Sequence, residues 1–329
     1  MPQRIEQLKK WLVSLPELSD YSFEPASNDA SFRRYFRLIE NGKSYIAMDA
    51  PPDREDSRPF VKVAEALESI GLNVPHIYAR DLTQGFMLLE DLGTELYLDR
   101  LSSETVDRLY GDALGALATL QACGPRDGLP KYDRALLMQE MALFRDWLLL
   151  QELSLSLTHE EHSMLQRVFE LLVDSALQQP QVCVHRDYHS RNLMVTARHN
   201  PGILDFQDAV IGPVTYDLAS LLRDCYVSWP DGRVRDWAIG YYELAVQSGI
   251  LGSEHEARFL TWFDLMGVQR HLKASGIFAR LYRRDGKPGY LKEIPRTLGY
   301  ITQLKTESLP LQELGEFIQV RVLPYLKAA

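Results

Sequence analysis

Apolar positions recur along this chain with two periods, and the change from one to the other outlines its organisation. Arg34 to Leu38 and Ser44 to Met48 are short β-like runs on either side of Glu40-Asn41-Gly42-Lys43. Asn-Gly at such a junction signals a tight hairpin, because both residues tolerate positive φ. A short helix is expected ahead of these strands. From Phe60 to Ile70 the period lengthens: Phe60, Val63, Ala64, Leu67 and Ile70 recur at helical spacing, with Gly71 as the stop. His76 to Ala79 and Phe86 to Leu89 are again strand-like, with Asp81 to Gly85 as their turn. The first stretch is therefore a small α+β unit ending near Gly93.

From Ser102 onward helical spacing dominates. Val106, Leu109, Tyr110, Ala113, Leu114, Leu117 and Leu120 form one apolar face. Further helices are expected around 135–153 and 158–177, the second opened by a capping box of Thr158 and Glu161. A like pair, Ser253 with Glu256, is expected to open a later helix carrying Phe259, Leu260, Phe263 and Met266. One β-rich island interrupts the helices: Val182–Val184, Leu193–Val195 and Ile203–Leu204. Two domains follow as the expectation, 1–93 and 94–329.

Composition narrows the class. The 329 residues carry 36 Lys+Arg against 45 Asp+Glu, a formal net charge of −9. That balance argues against wrapping a nucleic-acid backbone or docking on anionic lipid, both of which need a basic patch. No apolar window is long enough for a membrane span, and no basic start followed by an apolar run marks a secretory signal. Cys123, Cys183 and Cys225 lack C-x-x-C spacing and are odd in number, so no disulfide framework or cysteine zinc site is indicated. A cytoplasmic protein without membrane, nucleic-acid or obligate protein partners is expected.

The densest polar cluster lies in the β island. His185-Arg186-Asp187 is followed by Asn192, then by an apolar run and Asp205-Phe206. H-R-D-x-x-x-x-N followed by D-F is what phosphoryl transfer asks for. One carboxylate accepts the proton of the acceptor hydroxyl, while an amide and a second carboxylate hold the metal that bridges the phosphates. The apolar runs on either side are expected to anchor the loop in a buried hairpin. His185 reads as a buried histidine bonding backbone carbonyls. His189 reads equally as substrate-facing or structural. Asp217 follows Gly212-Pro213 at a helix start and reads as architectural, capping backbone amides.

The run from Val184 to Ala219 resembles the signature of the aminoglycoside phosphotransferase-like small-molecule kinases. Ser27 to Arg37, Met48-Asp49-Ala50-Pro51-Pro52 and Ser220 to Tyr226 are similar to its bacterial amino-sugar branch. The resemblance implies a two-lobed, protein-kinase-like α+β fold with a β-rich N-lobe and a mainly helical C-lobe. It implies ATP- and Mg²⁺-dependent phosphorylation of the anomeric hydroxyl of an amino sugar, with Asp187 as base and Asn192 and Asp205 as Mg²⁺ ligands. The segment Met87 to Gly93 matches the hinge of such folds, offering backbone groups at Glu90 and Leu92 to adenine. Other acceptors (an aminoglycoside, choline or homoserine) and a nucleotide-binding pseudokinase are the alternatives.

Two departures stand out. In place of G-x-G-x-x-G the phosphate-covering loop reads Asn28-Asp29-Ala30-Ser31-Phe32-Arg33, leaving the Ser31 hydroxyl and backbone amides to reach phosphate. Met48 stands where such kinases carry a phosphate-binding Lys, so either Arg33, Arg34 or Lys43 replaces that charge or transfer activity is lost; the intact trio of Asp187, Asn192 and Asp205 favours the replacement. Glu65 and Glu68 are both candidates for the usual Glu partner on the helix, but without the Lys neither needs to be paired and neither is assigned. For the acceptor pocket, Glu140, Phe144, Asp146 and Trp147 share helical spacing, and Arg223, Asp224, Trp229 and Arg233 follow the metal segment. Glu140 and Arg223 are the candidate substrate residues.

Overall fold

In the computed structural model, which describes residues 2–16, 18, 20–27 and 32–326, Asn41 and Gly42 take φ of 50° and 78°. They close the hairpin of β2 (Arg34–Glu40) and β3 (Lys43–Asp49), with Glu40 opposite Lys43. With β1 (Ser22–Ser27), β4 (Ile77–Asp81) and β5 (Phe86–Glu90) they form a five-stranded antiparallel sheet ordered β1-β2-β3-β5-β4. The hydrophobic pattern gives no sign of β1. It carries Pro25, which lacks an N–H, and sits at the sheet edge where that loss is tolerated. The N-terminal helix α1 (Pro2–Val13) covers one face, packing Leu8 and Leu12 on Phe36, Leu38, Ala47, Phe86 and Leu88. Burying each such side chain contributes about 1.5–3 kcal/mol. Helix α2 (Arg58–Ser69) buries Phe60, Val63, Ala64 and Leu67, as its spacing predicts, and Gly71 follows at φ 83°.

After the short α3 (Tyr97–Arg100) come α4 (Val106–Cys123), α5 (Arg134–Leu143) with its π-helical continuation Phe144–Glu152, and α6 (His159–Leu177). The α6 capping box forms: Glu161 N–H donates to Thr158 Oγ1 at 3.2 Å, and Thr158 N–H to Glu161 Oε2 at 2.8 Å. The island strands are β6 (Gln181–Val184), β7 (Leu193–Met194) and β8 (Gly202–Ile203), joined by β9 (Val210–Pro213). Then follow α7 (Tyr216–Leu222), α8 (Asp231–Gln247), the 30-residue α9 (Glu256–Asp285) and α10 (Ile294–Thr302). No helix among the described residues is long and apolar enough to cross a membrane.

Two local expectations give way. The runs flanking the polar loop do not form one hairpin: β6 pairs with β9, and β7 with β8. The Ser253–Glu256 box does not form, because a 3-10 turn over Ser253–His255 moves the start of α9 to Glu256, and Ser253 caps nothing.

The chain divides into two compact units, Met1–Asp112 with Asn192–Asp208, and Ala113–Arg191 with Ala209–Ala329. The expected boundary near Gly93 lies inside the first. In that unit the β7–β8 hairpin is tied down by Ile203 N–H to Asn73 O and Val195 N–H to Glu95 O, both 2.8 Å. In the second, α9 is the central helix, packed against α5, its π-helical continuation, α6, α7, α8 and α10. Gly276 allows the closest of these approaches, since a Cβ there would collide with the Leu143 carbonyl.

Candidate active site

The loop after β6 is shaped by carboxylates that take its backbone amides. Asp217, fully buried in the first turn of α7, accepts the N–H groups of His185 at 2.7 Å and Arg186 at 3.0 Å. It is architectural as expected, but the amides it holds belong to this loop and not to its own helix. Burial pushes its carboxyl above the usual range despite the nearby His185 and Arg270 charges and the two donated N–H groups. Arg186 turns at φ 79°, a conformation that side chains favour little, and the Asp217 bond holds it there. His185 is buried, and its Nδ1 accepts the Asp187 N–H at 3.2 Å. His189 N–H closes a tight turn on Asp187 O at 3.1 Å. Asp224, also buried, takes the Ser190 N–H at 2.9 Å.

Asp187 itself is half-buried. Burial alone would raise its pKa, but the charges of Lys273, His189, Arg270 and Arg186 outweigh it and hold the carboxyl well below the usual range. Arg270 and Lys273 come from successive turns of α9. Arg270 Nη1 donates to Arg186 O at 2.6 Å. Lys273 Nζ meets Glu140 at 3.1 Å and Tyr216 Oη at 2.9 Å. Glu140, Arg186 and Tyr132 are joined by further short hydrogen bonds. A buried cation of this kind survives only with such partners. The sequence hint for both residues was a basic pair at i, i+3 among apolar neighbours, Met266, Val268 and Leu272, on a helix.

In the other unit, Asn192 Nδ2 lies 3.4 Å from Asp205 Oδ2, and Gln207 Nε2 donates to Asp205 Oδ1 at 2.7 Å. Leu204 N–H to Asn192 O at 2.9 Å extends the β7–β8 ladder by one rung and brings the two side chains together. Asp205 is exposed at φ 63°, and the buried Phe206 ring packs 4.9 Å from that of Phe60 on α2. No three His, Cys, Asp or Glu side chains among the described residues gather into a metal cluster. An amide oxygen with a single carboxylate is nevertheless a hard donor pair of the kind Mg²⁺ takes when phosphates and water complete its shell.

Ser31 lies outside the described residues. Arg33 is largely buried and pairs with Glu55 at 3.2 Å. Arg34 is committed to Asp49, and Lys43 sits at the opposite end of β3 from Met48, which is buried opposite Met87 in β5. Glu65 pairs with Arg80 at 2.5 Å and Glu68 with His76 at 2.7 Å. Glu90 ends β5 with its N–H donated to His76 O at 2.8 Å. Leu92 follows and packs over Gly202. Asp91 between them binds Arg37 at 2.6 Å.

Of the two substrate candidates, Glu140 is buried in the Arg186–Lys273 cluster. Arg223 is buried against Asp264 at 2.6 Å with its guanidinium over the Phe263 ring. Phe144 is core, and Asp146 pairs with its neighbour Arg145.

Residues 22–258 match the model of the phosphotransferase enzyme family. The chain is 48% identical over 328 residues to an N-acetylmuramate/N-acetylglucosamine kinase of Pseudomonas putida, covering 96% of each. A protein of the same name from Neisseria meningitidis is 41% identical, covering 95% of this chain and 94% of the other. Among solved structures, an ADP-bound aminoglycoside phosphotransferase superposes with a TM-score of 0.59 at 16% identity, over 89% of this chain and 97% of that one. A choline kinase from Streptococcus pneumoniae gives 0.57 at 15%, over 90% and 98%. The fold is the protein-kinase-like α+β arrangement expected from the sequence.

Proposed function

The chain belongs to the phosphotransferase enzyme family, and on that premise we propose that it transfers the γ-phosphoryl group of ATP to the anomeric hydroxyl of N-acetylmuramate or N-acetylglucosamine. The observation that carries the acceptor is the 48% identity over nearly the whole length of a relative bearing that name. The ADP named in the aminoglycoside phosphotransferase structure supports the nucleotide. Use of ATP suits a cytoplasmic enzyme.

Asp187 is the base in this reading. It receives the hydrogen bond of the anomeric hydroxyl and aims that oxygen at phosphorus. As the new O–P bond forms and the bond to ADP breaks, the proton passes to the carboxylate. An anomeric hydroxyl is more acidic than an ordinary alcohol, so a carboxylate held ionised by Lys273, Arg270 and Arg186 supplies position more than basicity. Asn192 and Asp205 are the residues that would hold Mg²⁺, which when bound neutralises charge on the phosphate oxygens. Arg33 is assigned the role of the Lys that Met48 replaces, and the Ser31 hydroxyl a phosphate contact. Backbone groups at Glu90 and Leu92 are assigned to adenine, and Glu140 positions the Arg186–Lys273 pair behind the base.

The test is Asp187→Asn with both sugars and ATP, following the sugar 1-phosphate by phosphorus NMR. Turnover should fall by about 10²–10⁴-fold with nucleotide affinity retained. Near wild-type turnover would remove Asp187 from the role of base. A wild-type protein that yields no product with either sugar would remove the function.

A further inference from the structure

Helix α9 carries a glycine where its neighbour leaves no room for any side chain. A Cβ at Gly276 would lie 2.2 Å from the Leu143 carbonyl carbon and 2.5 Å from Phe144 N, main-chain atoms that cannot rotate aside. That spot is where α5 ends and its π-helical continuation begins, a change of winding frequent at functional sites. One turn earlier on each helix stand Lys273 and Glu140, 3.1 Å apart and both buried. Further along, Arg283 Nε donates to Glu152 Oε2 at 2.6 Å. The two segments therefore run side by side in the same direction, and Gly276 sets their spacing next to the polar pair. Glycine weakens a helix interior, and apolar packing alone is served by wider helix spacings filled with larger side chains.

We propose that Gly276 and Lys273 are positioning residues for the transfer: the missing side chain of Gly276 holds α9 close enough to α5 for Lys273 to grip Glu140, and that grip, passed on through Arg186, fixes the base. The inference rests on the role proposed for Asp187 and extends it from the loop to the helix seam behind it. The contacts form an unbroken chain. Lys273 Nζ donates to Tyr216 Oη at 2.9 Å and pairs with Glu140, Glu140 binds Tyr132 and the Arg186 guanidinium, and Arg186 immediately precedes Asp187. Gln269 of the same helix adds a bond from Nε2 to Tyr132 Oη at 3.1 Å. Arg270, one turn before Lys273, donates to Arg186 O, so a displaced α9 would withdraw both of its cations from the loop. Charge agrees with the geometry. Burial works against the Lys273 ammonium, but Tyr216, Glu140 and Asp187 outweigh it and keep its pKa above the ordinary value. Hydrogen bonds near 3 Å do not survive being stretched by an ångström, so this chain needs the spacing that Gly276 sets.

The experiment is a mutant cycle of Gly276→Ala, Lys273→Met and the double variant, with kcat and the KM for ATP measured at temperatures where each is folded. A Cβ at position 276 forces the helices apart by more than an ångström, so kcat should fall by about 10- to 100-fold with the KM for ATP unchanged. Lys273→Met should lose kcat on the same scale. The double variant should match Lys273→Met within about twofold, because both changes act on one contact. Losses that multiply in the double variant, or wild-type kcat in folded Gly276→Ala, overturn the proposal, since a glycine that serves packing alone acts independently of Lys273. If Gly276→Ala does not fold, Glu140→Asp takes its place, withdrawing the carboxylate by one methylene at unchanged helix spacing. It should reproduce the loss, and wild-type kcat there overturns the proposal equally. If the wild type phosphorylates neither sugar, the reaction is wrong, and a crystal structure of the folded Gly276→Ala or Glu140→Asp variant still decides the seam. Arg186 displaced from residue 140, with Lys273 Nζ more than about 4 Å from its carboxylate, supports the proposal; both contacts kept overturn it.

Discussion

Buried carboxylates occur in both units of this protein, and those that tie elements of the sheet unit together do different work from those around the Asp187 loop. In the sheet unit Asp49 is fully buried and receives two guanidinia, Arg4 of α1 through Nε at 3.0 Å and Arg34 of β2 through Nε at 3.1 Å. Asp91 likewise takes Arg37 of β2. These pairs join one secondary-structure element to another, and long side chains let them tolerate small shifts. In the helical unit Asp217 and Asp224 receive main-chain N–H groups of His185, Arg186, Ser190 and Tyr226. A carboxylate holding amides fixes a backbone path and leaves no side chain to absorb movement. The stiff device is found on the loop that carries the proposed base, where a displacement of an ångström has a large effect on rate.

Asp217→Ala should give the largest effect. It strands two buried amides at about 1–3 kcal/mol each and removes what holds Arg186 at positive φ. Stability to urea should fall by about 2–6 kcal/mol, and kcat by at least about tenfold at temperatures where the variant is folded. Wild-type kcat in the folded variant would end the distinction between the two kinds of carboxylate. Asp49→Ala should cost less, about 1–2 kcal/mol, because Arg4 and Arg34 keep 27% and 29% side-chain exposure and can turn to water. Hydrogen exchange should quicken in α1 while the loop around Asp187 stays protected. Protection lost in both at once would mean that Asp49 also fixes the loop around Asp187.

At neutral pH the smallest effect concerns His271, whose Nε2 donates to Arg223 O at 2.9 Å, another side chain tied to main chain in this unit. Burial lowers its pKa from the ordinary 6.5 to about 3. The unfolded chain therefore takes up this proton first, and stability is lost as pH falls from 6.5 towards 3, by up to about 1.4 kcal/mol per unit. His271→Asn should be less stable at neutral pH and flatter in that window. An equally steep dependence would assign the acid sensitivity to other groups.

The parts legible in the sequence were those whose information is local. Asn41-Gly42 specifies its own backbone, Thr158 and Glu161 cap across a single turn, and Asn192 and Asp205 meet at the end of a short ladder. The parts that stayed hidden depend on distant partners. Glu140 and Arg223 read as acceptor-pocket residues because Lys273 and Asp264, their counter-ions, lie far along the chain. Asp217 announced a cap, but nothing near it says which amides it takes. The pairing of β6 with β9 was invisible for the same reason, since two-sided burial removes the alternation that would fix a register.

The first unit is not a continuous piece of chain. It closes only when Asn192–Asp208 joins Met1–Asp112. During synthesis, therefore, the five-stranded sheet emerges long before the hairpin bearing Asn192 and Asp205, and waits for it through the whole of Ala113–Arg191. That order of appearance raises the contact order of the unit and slows its completion. It also means that a fragment cut after the first helices would be a sheet without the hairpin bearing Asn192 and Asp205, so no truncation at a single point can yield the first unit alone.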